Sequence, residues 1–328
     1  MQWLWRHSLQ VALVLGVTAC GATVAQRPPA PGAAEMQGGQ GPASFIFTPP
    51  QGTTTFSWTV QRSFEATIAR TRVADRNQSE LRWDVSMHPS QNDTTVVDER
   101  LVGVSFEHDG RTVVSGKPDA LIHLVFDSEG TLEAVSGIDA ASRAVRALAS
   151  PGMEATVGRT FSPQALDALV RSRAQLLIGD VVGRPTAEGA TWIVASRPGD
   201  NALFTRYTVG GTKSCYVMPP QGGPAECAQL HVWVDVQPRV AEDAATALVE
   251  RHTRQPVQGV AGPPEGGHAR YVMWGTVLVQ PATLLPAGAT LREDGHITLL
   301  SGRKSYRVNL AARSEDHFEY GARGLAAR

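Results

Sequence analysis

From Thr54 onward, apolar and polar residues alternate with a period of two. Phe56, Trp58 and Val60 share one face, Phe64, Ala66 and Ile68 continue the pattern, and Leu81, Trp83, Val85 and Met87 follow the polar stretch Asp75-Arg76-Asn77-Gln78-Ser79, which reads as a turn. Successive side chains of a strand point to opposite faces, so this alternation predicts half-buried antiparallel strands. More strands are predicted over Thr94 to Phe106, Thr112 to Val114, Ala120 to Phe126 and Thr131 to Val135, joined by the acidic-glycine turns His108-Asp109-Gly110 and Asp127-Ser128-Glu129-Gly130. The first part of the chain therefore reads as a curved antiparallel meander.

The period then changes. Asp139 is placed to cap a helix running through Ala149, with Ala141, Val145 and Leu148 inward, and Ser162-Pro163 is an N-cap and first-turn pair opening a helix to about Ile178. In that second helix Leu166, Leu169, Val170, Leu176 and Leu177 form the packing stripe, with Asp167, Arg171 and Arg173 outside it. Strands resume at Ala190 to Ser196, Ala202 to Val209, Lys213 to Val217 and Ala228 to Val236, with Val209-Gly210-Gly211 as a hairpin turn. A third helix covers Pro238 to His252, a Gly/Pro loop covers Gln258 to Gly267, and strands lie around Tyr271 to Val279, at Thr290, and over Ile297 to Leu300 and Ser305 to Ala311, after a Leu-Pro-Ala-Gly turn. This order predicts an α+β fold, mostly antiparallel curved β-sheet with three helices packed on one face. It is compatible with two halves divided near residue 185 and equally with one continuous sheet.

Composition adds a boundary. Residues 21 to 44 are mostly Gly, Ala, Pro and Gln without an aromatic residue, too poor in apolar surface to offset the entropy of ordering. Such a coil reaches roughly 25 to 30 Å, which makes it a spacer ahead of a body at residues 45 to 328. The charges, 30 basic against 31 acidic with a net of −1, are interspersed and form no basic run, which excludes nucleic acid as a partner.

The chain holds three cysteines. Cys215 and Cys227 flank a Pro-Pro-Gln-Gly-Gly-Pro turn between strand-like segments, which predicts a disulfide across a hairpin in an oxidising compartment. The third is Cys20. Ahead of it, Met1 to His7 carries one firm positive charge, and Ser8 to Val17 is apolar and too short to span a bilayer, as in a signal segment covering residues 1 to 19. The segment ends Val17-Thr18-Ala19-Cys20, which resembles the lipobox of bacterial lipoprotein precursors. That resemblance implies cleavage before Cys20, lipidation of its thiol, and a mature protein held on a membrane by its N-terminal lipid. Gly21 after the cysteine, where the family's retention signal has Asp, implies the outer membrane if the cell is Gram-negative. In overall layout the body resembles uncharacterised β-rich envelope lipoproteins and, more distantly, half-barrel carriers of lipids and lipoproteins; this is architectural and transfers no functional residue.

Motifs for chemistry are missing from the sequence. The nine histidines are scattered without HExxH spacing, and there is no GxSxG elbow, Walker loop or GxGxxG after a strand. Ser301-Gly302-Arg303-Lys304 matches a bare SxxK but reads as a turn between strands, His123 and His231 read as sheet histidines, and Asn77-Gln78-Ser79 and Asn92-Asp93-Thr94 as turn sequence. The acidic pairs, among them Asp98-Glu99 and Glu293-Asp294, read as turns and solvated faces. No catalytic residue, metal ligand or cofactor is therefore expected. The aromatic residues Trp58, Phe64, Trp83, Phe106 and Phe126 are the expected lining of an apolar site on the sheet. The expected function is non-enzymatic: an envelope lipoprotein that binds an apolar ligand, such as a lipid, or an envelope protein partner. An envelope hydrolase with a nonstandard site is the alternative, and would need converging polar groups where a carrier needs an apolar trough of roughly several hundred Å³.

Overall fold

The computed structural model describes residues 44–48, 52–90, 94–174, 178–195, 202–215, 225–236, 239–260 and 269–320. The signal segment, Cys20 and the spacer up to residue 43 lie outside the described residues.

Thirteen strands form one curved antiparallel sheet in an α+β arrangement. In chain order they are β1 (Thr54–Ile68), β2 (Ala74–Pro89), β3 (Thr95–His108), β4 (Arg111–Gly116), β5 (Ala120–Phe126), β6 (Leu132–Ser136), β7 (Thr191–Ala195), β8 (Ala202–Cys215), β9 (Ala225–Val236), β10 (Val257–Val260), β11 (Ala269–Val279), β12 (Pro286–Ser301) and β13 (Lys304–Tyr320). The spatial order is β6-β5-β3-β2-β1-β13-β12-β11-β9-β8-β7, with β4 on β3 and β10 on β12. The first and last strands thus meet in the middle, from Phe56 opposite Tyr320 to Ile68 opposite Val308. The chain crosses from one edge strand, β6, to the other, β7, through the helices.

The three predicted helices form as α1 (Ile138–Arg146), α3 (Pro163–Ala174) and α4 (Arg239–Thr253), and a seven-residue helix, α2 (Glu154–Thr160), stands between the first two. Strand alternation buries the inner face: in β5 every second residue from Ala120 to Phe126 is buried. Ser162 Oγ accepts the Ala165 N–H at 3.3 Å, as the Ser-Pro pair predicts. Asp139 does not cap α1; the N-cap is Gly137 in a left-handed conformation, with Asp139 in the first turn, where its charge suits the helix dipole. Cys215 and Cys227 are joined in a disulfide between the ends of β8 and β9, with Cα atoms 5.7 Å apart.

Several predicted turns are strand. Asp75 to Ser79 lies within β2, because Asp75 and Asn77 face inward and are buried against partners; the chain reverses instead at Ala69 to Val73, where Arg70 has φ 65°. Gly210 and Gly211 form an irregularity inside a continuous β8, and Pro286 to Gly288 opens β12. Val257 to Val260, placed partly in a loop, pairs with β12 as β10. The Asp109-Gly110 turn is where the sequence put it, with φ of 47° and 72°, the two positive values of a tight primed hairpin.

Candidate functional site

An apolar cavity lies on the inner face of the sheet at the end that holds the start of β1. Its sheet wall includes Phe56 and Trp58 of β1, Val97 of β3, Leu124 and Phe126 of β5, and Phe318 of β13. Arg173 and Ala174 of α3, Ile178, Phe47 and the stretch Thr283 to Pro286 complete the lining. The void is about 60 Å³, room for about two water-sized groups at ~30 Å³ each.

Phe47 belongs to the first segment of the body, which starts at residue 45. The run Phe45-Ile46-Phe47, apolar immediately after a Gly/Pro spacer, was the available signal. Phe45 N–H donates to the Arg184 carbonyl at 2.8 Å and Ile46 N–H to the Pro281 carbonyl at 2.9 Å, so backbone bonds hold the segment beside the cavity. Phe47 packs 5.9 Å from the Phe126 ring. Gly130, at φ 79°, permits this approach, since a Cβ there would stand 2.9 Å from Ile178 and 3.0 Å from Phe47.

The charged groups on the lining are Arg173 and Glu99, which form an ion pair with side chains only 12% and 8% exposed. Arg173 was expected outside the helix stripe and Glu99 on a solvated face; both are drawn inward because each supplies the other's buried counter-charge. The guanidinium also lies 3.8 Å from the Trp58 ring centre and 5.4 Å from that of Trp83. Beside them, burial pushes the Asp316 carboxyl of β13 up to about 6, against the pull of Arg173 and of the hydroxyl of Ser314. Further along the same face Arg62 holds Glu293 with two hydrogen bonds of 2.7 and 3.0 Å, and Tyr271 donates to the same carboxylate. Glu293 is therefore a buried strand residue and not part of a turn. Burial and the Glu293 charge together push the Tyr271 hydroxyl well above the usual phenol range.

Of the five aromatic residues singled out in the sequence, Trp58 and Phe126 line this cavity. Phe64, Trp83 and Phe106 are buried in the same core, Trp83 stacked on Trp58 at 6.4 Å. Phe64 and Phe106 lie further along their strands, toward the end covered by α4.

At that far end is a second polar cluster. His108 Nδ1 is 2.7 Å from Asn77 Oδ1 and 3.1 Å from Asp75 Oδ1, and Arg251 of α4 donates to Asp75 Oδ2 at 2.8 Å. Asp75, His108 and Asp109 bring ligand-type atoms within 4.8 Å of one another, but Arg251 already supplies positive charge to both carboxylates. Burial pushes the Asp75 carboxyl up, opposed by His108 and Arg251. His123 is held by Asp98 at 2.5 Å. On the outer face Trp233 and Trp274 stack at 6.1 Å, with Arg206 5.9 Å from the Trp233 ring. Among the described residues no helix is long and apolar enough to cross a membrane.

No family model and no curated protein matches the chain. Among solved structures it is similar to lipovitellin, in a structure concerned with lipid–protein interactions, at 10% identity and a TM-score of 0.43, covering 83% of this chain and 25% of that one. It is also similar to Pseudomonas aeruginosa OccK5 (OpdH), at 9% identity and 0.24 over 85% and 100%, and to the translocator domain of the autotransporter NalP from Neisseria meningitidis, at 8% and 0.19 over 82% and 88%. The chain spans a quarter of the length of the lipovitellin chain. At these values the likeness is one of coarse β-rich architecture and transfers neither ligand nor site.

Proposed function

We propose that the protein is a membrane-anchored envelope lipoprotein, lipidated at Cys20, whose body is non-enzymatic and binds an apolar ligand on the inner face of the sheet. The observation that carries the binding role is the cavity between the sheet, α3 and Phe47, apolar on nearly all its lining. Apolar pockets with few polar groups are the usual form of small-molecule sites. The void is far smaller than the several hundred Å³ a carrier needs, so the bound state requires Phe47 and its segment to swing out. That segment follows the spacer directly in sequence. The anchor rests on the lipobox-like Val17 to Cys20, and two or more acyl chains hold firmly where one does not.

The full chain, extracted from envelope membranes and stripped of detergent in a native mass spectrometer, is expected to retain a lipid of defined mass that rebinds after organic extraction. Phe47→Ala is expected to raise its occupancy by enlarging the cavity. Bare protein that rebinds nothing, with and without that substitution, overturns the ligand reading. In the same cells Cys20→Ser is expected to abolish incorporation of an alkyne-tagged fatty acid; retention of the label overturns the anchor.

A further inference from the structure

The charges around the cavity restrict which head group it accepts, an inference that rests on the apolar-ligand reading above. An arginine beside an apolar pocket invites an anionic lipid, yet Arg173 is already matched by Glu99 at close range. A second carboxylate, Asp316, stands within its field on β13. The next cation along the face, Arg62, is occupied by Glu293. An anionic head entering here meets two carboxylates and one guanidinium already paired, in surroundings where solvent screens little. The buried ring N–H on the lining, Trp58 Nε1–H, is turned to the Asp316 carboxyl. Buried donors of this sort ask for oxygen acceptors.

We infer that the cavity takes an acyl or alkyl chain whose head is uncharged, such as a glycerol ester or ether, and rejects the anionic head of the same chain. Arg173, lying over Trp58, is already neutralised beside the cavity, and Glu99 is the internal anion that keeps a ligand's charge out.

The test uses the full chain in its native membranes with two diazirine-bearing probes of equal chain length, an alkyl glycerol ether and an alkyl sulfonate, whose charge does not titrate. Crosslinked peptides are mapped by mass spectrometry. At pH 7.5 the ether is expected to label the cavity lining at least ten-fold more than the sulfonate. Glu99→Gln, which frees Arg173, is expected to remove or reverse that preference; Asp316→Asn, which leaves the ion pair intact, is expected to reduce it several-fold. Equal or better labelling by the sulfonate in the unaltered protein overturns the head-group inference and leaves the apolar site standing. Labelling of the lining by neither probe overturns both. A preference unchanged in both variants also overturns the inference, because the charges would then not be its cause.

Discussion

Asp316 lies on the inner face of β13, facing Arg173 and Trp58, with Ser314 and His317 beside it on its own strand, and burial outweighs what these neighbours give back. Its proton is held more tightly in the folded chain, to about 6 against an ordinary 3.8. The folded state therefore loses ground as pH rises from about 4 to about 6, by up to about 3 kcal/mol, and stays at that lower level above it. Asp316→Asn removes the titration. Denaturant titrations should show the variant gaining on the parent by about 1–3 kcal/mol at pH 7.5 and by little at pH 4; an equal gain at both values would refute the assignment. At this scale the sequence is least legible. Nothing near Asp316, Glu99 or Glu293 in the chain distinguishes them from the solvated acidic residues around them.

At the scale of elements, α3 and α4 pack on the sheet through apolar residues and each adds one ion pair to a buried carboxylate. Arg173 pins α3 to β3, and Arg251 pins α4 to β2 and to the β3–β4 turn. Arg251 is a third exposed while Asp75 is 3% exposed, so the loss falls on Asp75, left buried with His108 alone. Arg251→Met is expected to cost about 2 kcal/mol, below the 3–5 kcal/mol of a fully buried pair, and to lower hydrogen-exchange protection of α4. Adding Asp75→Asn should restore part of the loss. If the single and double variants match the parent, the contact does not hold the helix. The helices themselves were legible from their apolar stripes and the Ser162-Pro163 pair. Which of their charged residues turn inward was not, since Arg173 sits at a position that the stripe assigns to solvent.

For the whole molecule, the decisive feature is that β1 and β13 pair at the centre of the sheet, so the two flanks share one continuous set of backbone hydrogen bonds. A break in that seam exposes the inner face of both flanks together. Unfolding followed by tryptophan fluorescence and by far-UV circular dichroism is therefore expected to give coincident midpoints; two separated transitions would show that the flanks fold independently. The seam joins residues at opposite ends of the chain, and neither strand's alternation announces its partner.

The sequence by itself determined what local periodicity and local chemistry encode: most of the strands, three of the helices, the α+β class, the Asp109-Gly110 turn and the Cys215–Cys227 pairing across a hairpin. The tertiary structure alone decided which polar residues become interior. Arg62 meets Glu293 across 231 positions, Arg251 meets Asp75 across 176, and Arg173 meets Glu99 across 74. A buried charge is tolerated only where its partner arrives, and the partner's arrival depends on the fold of the whole sheet, which no window along the chain contains.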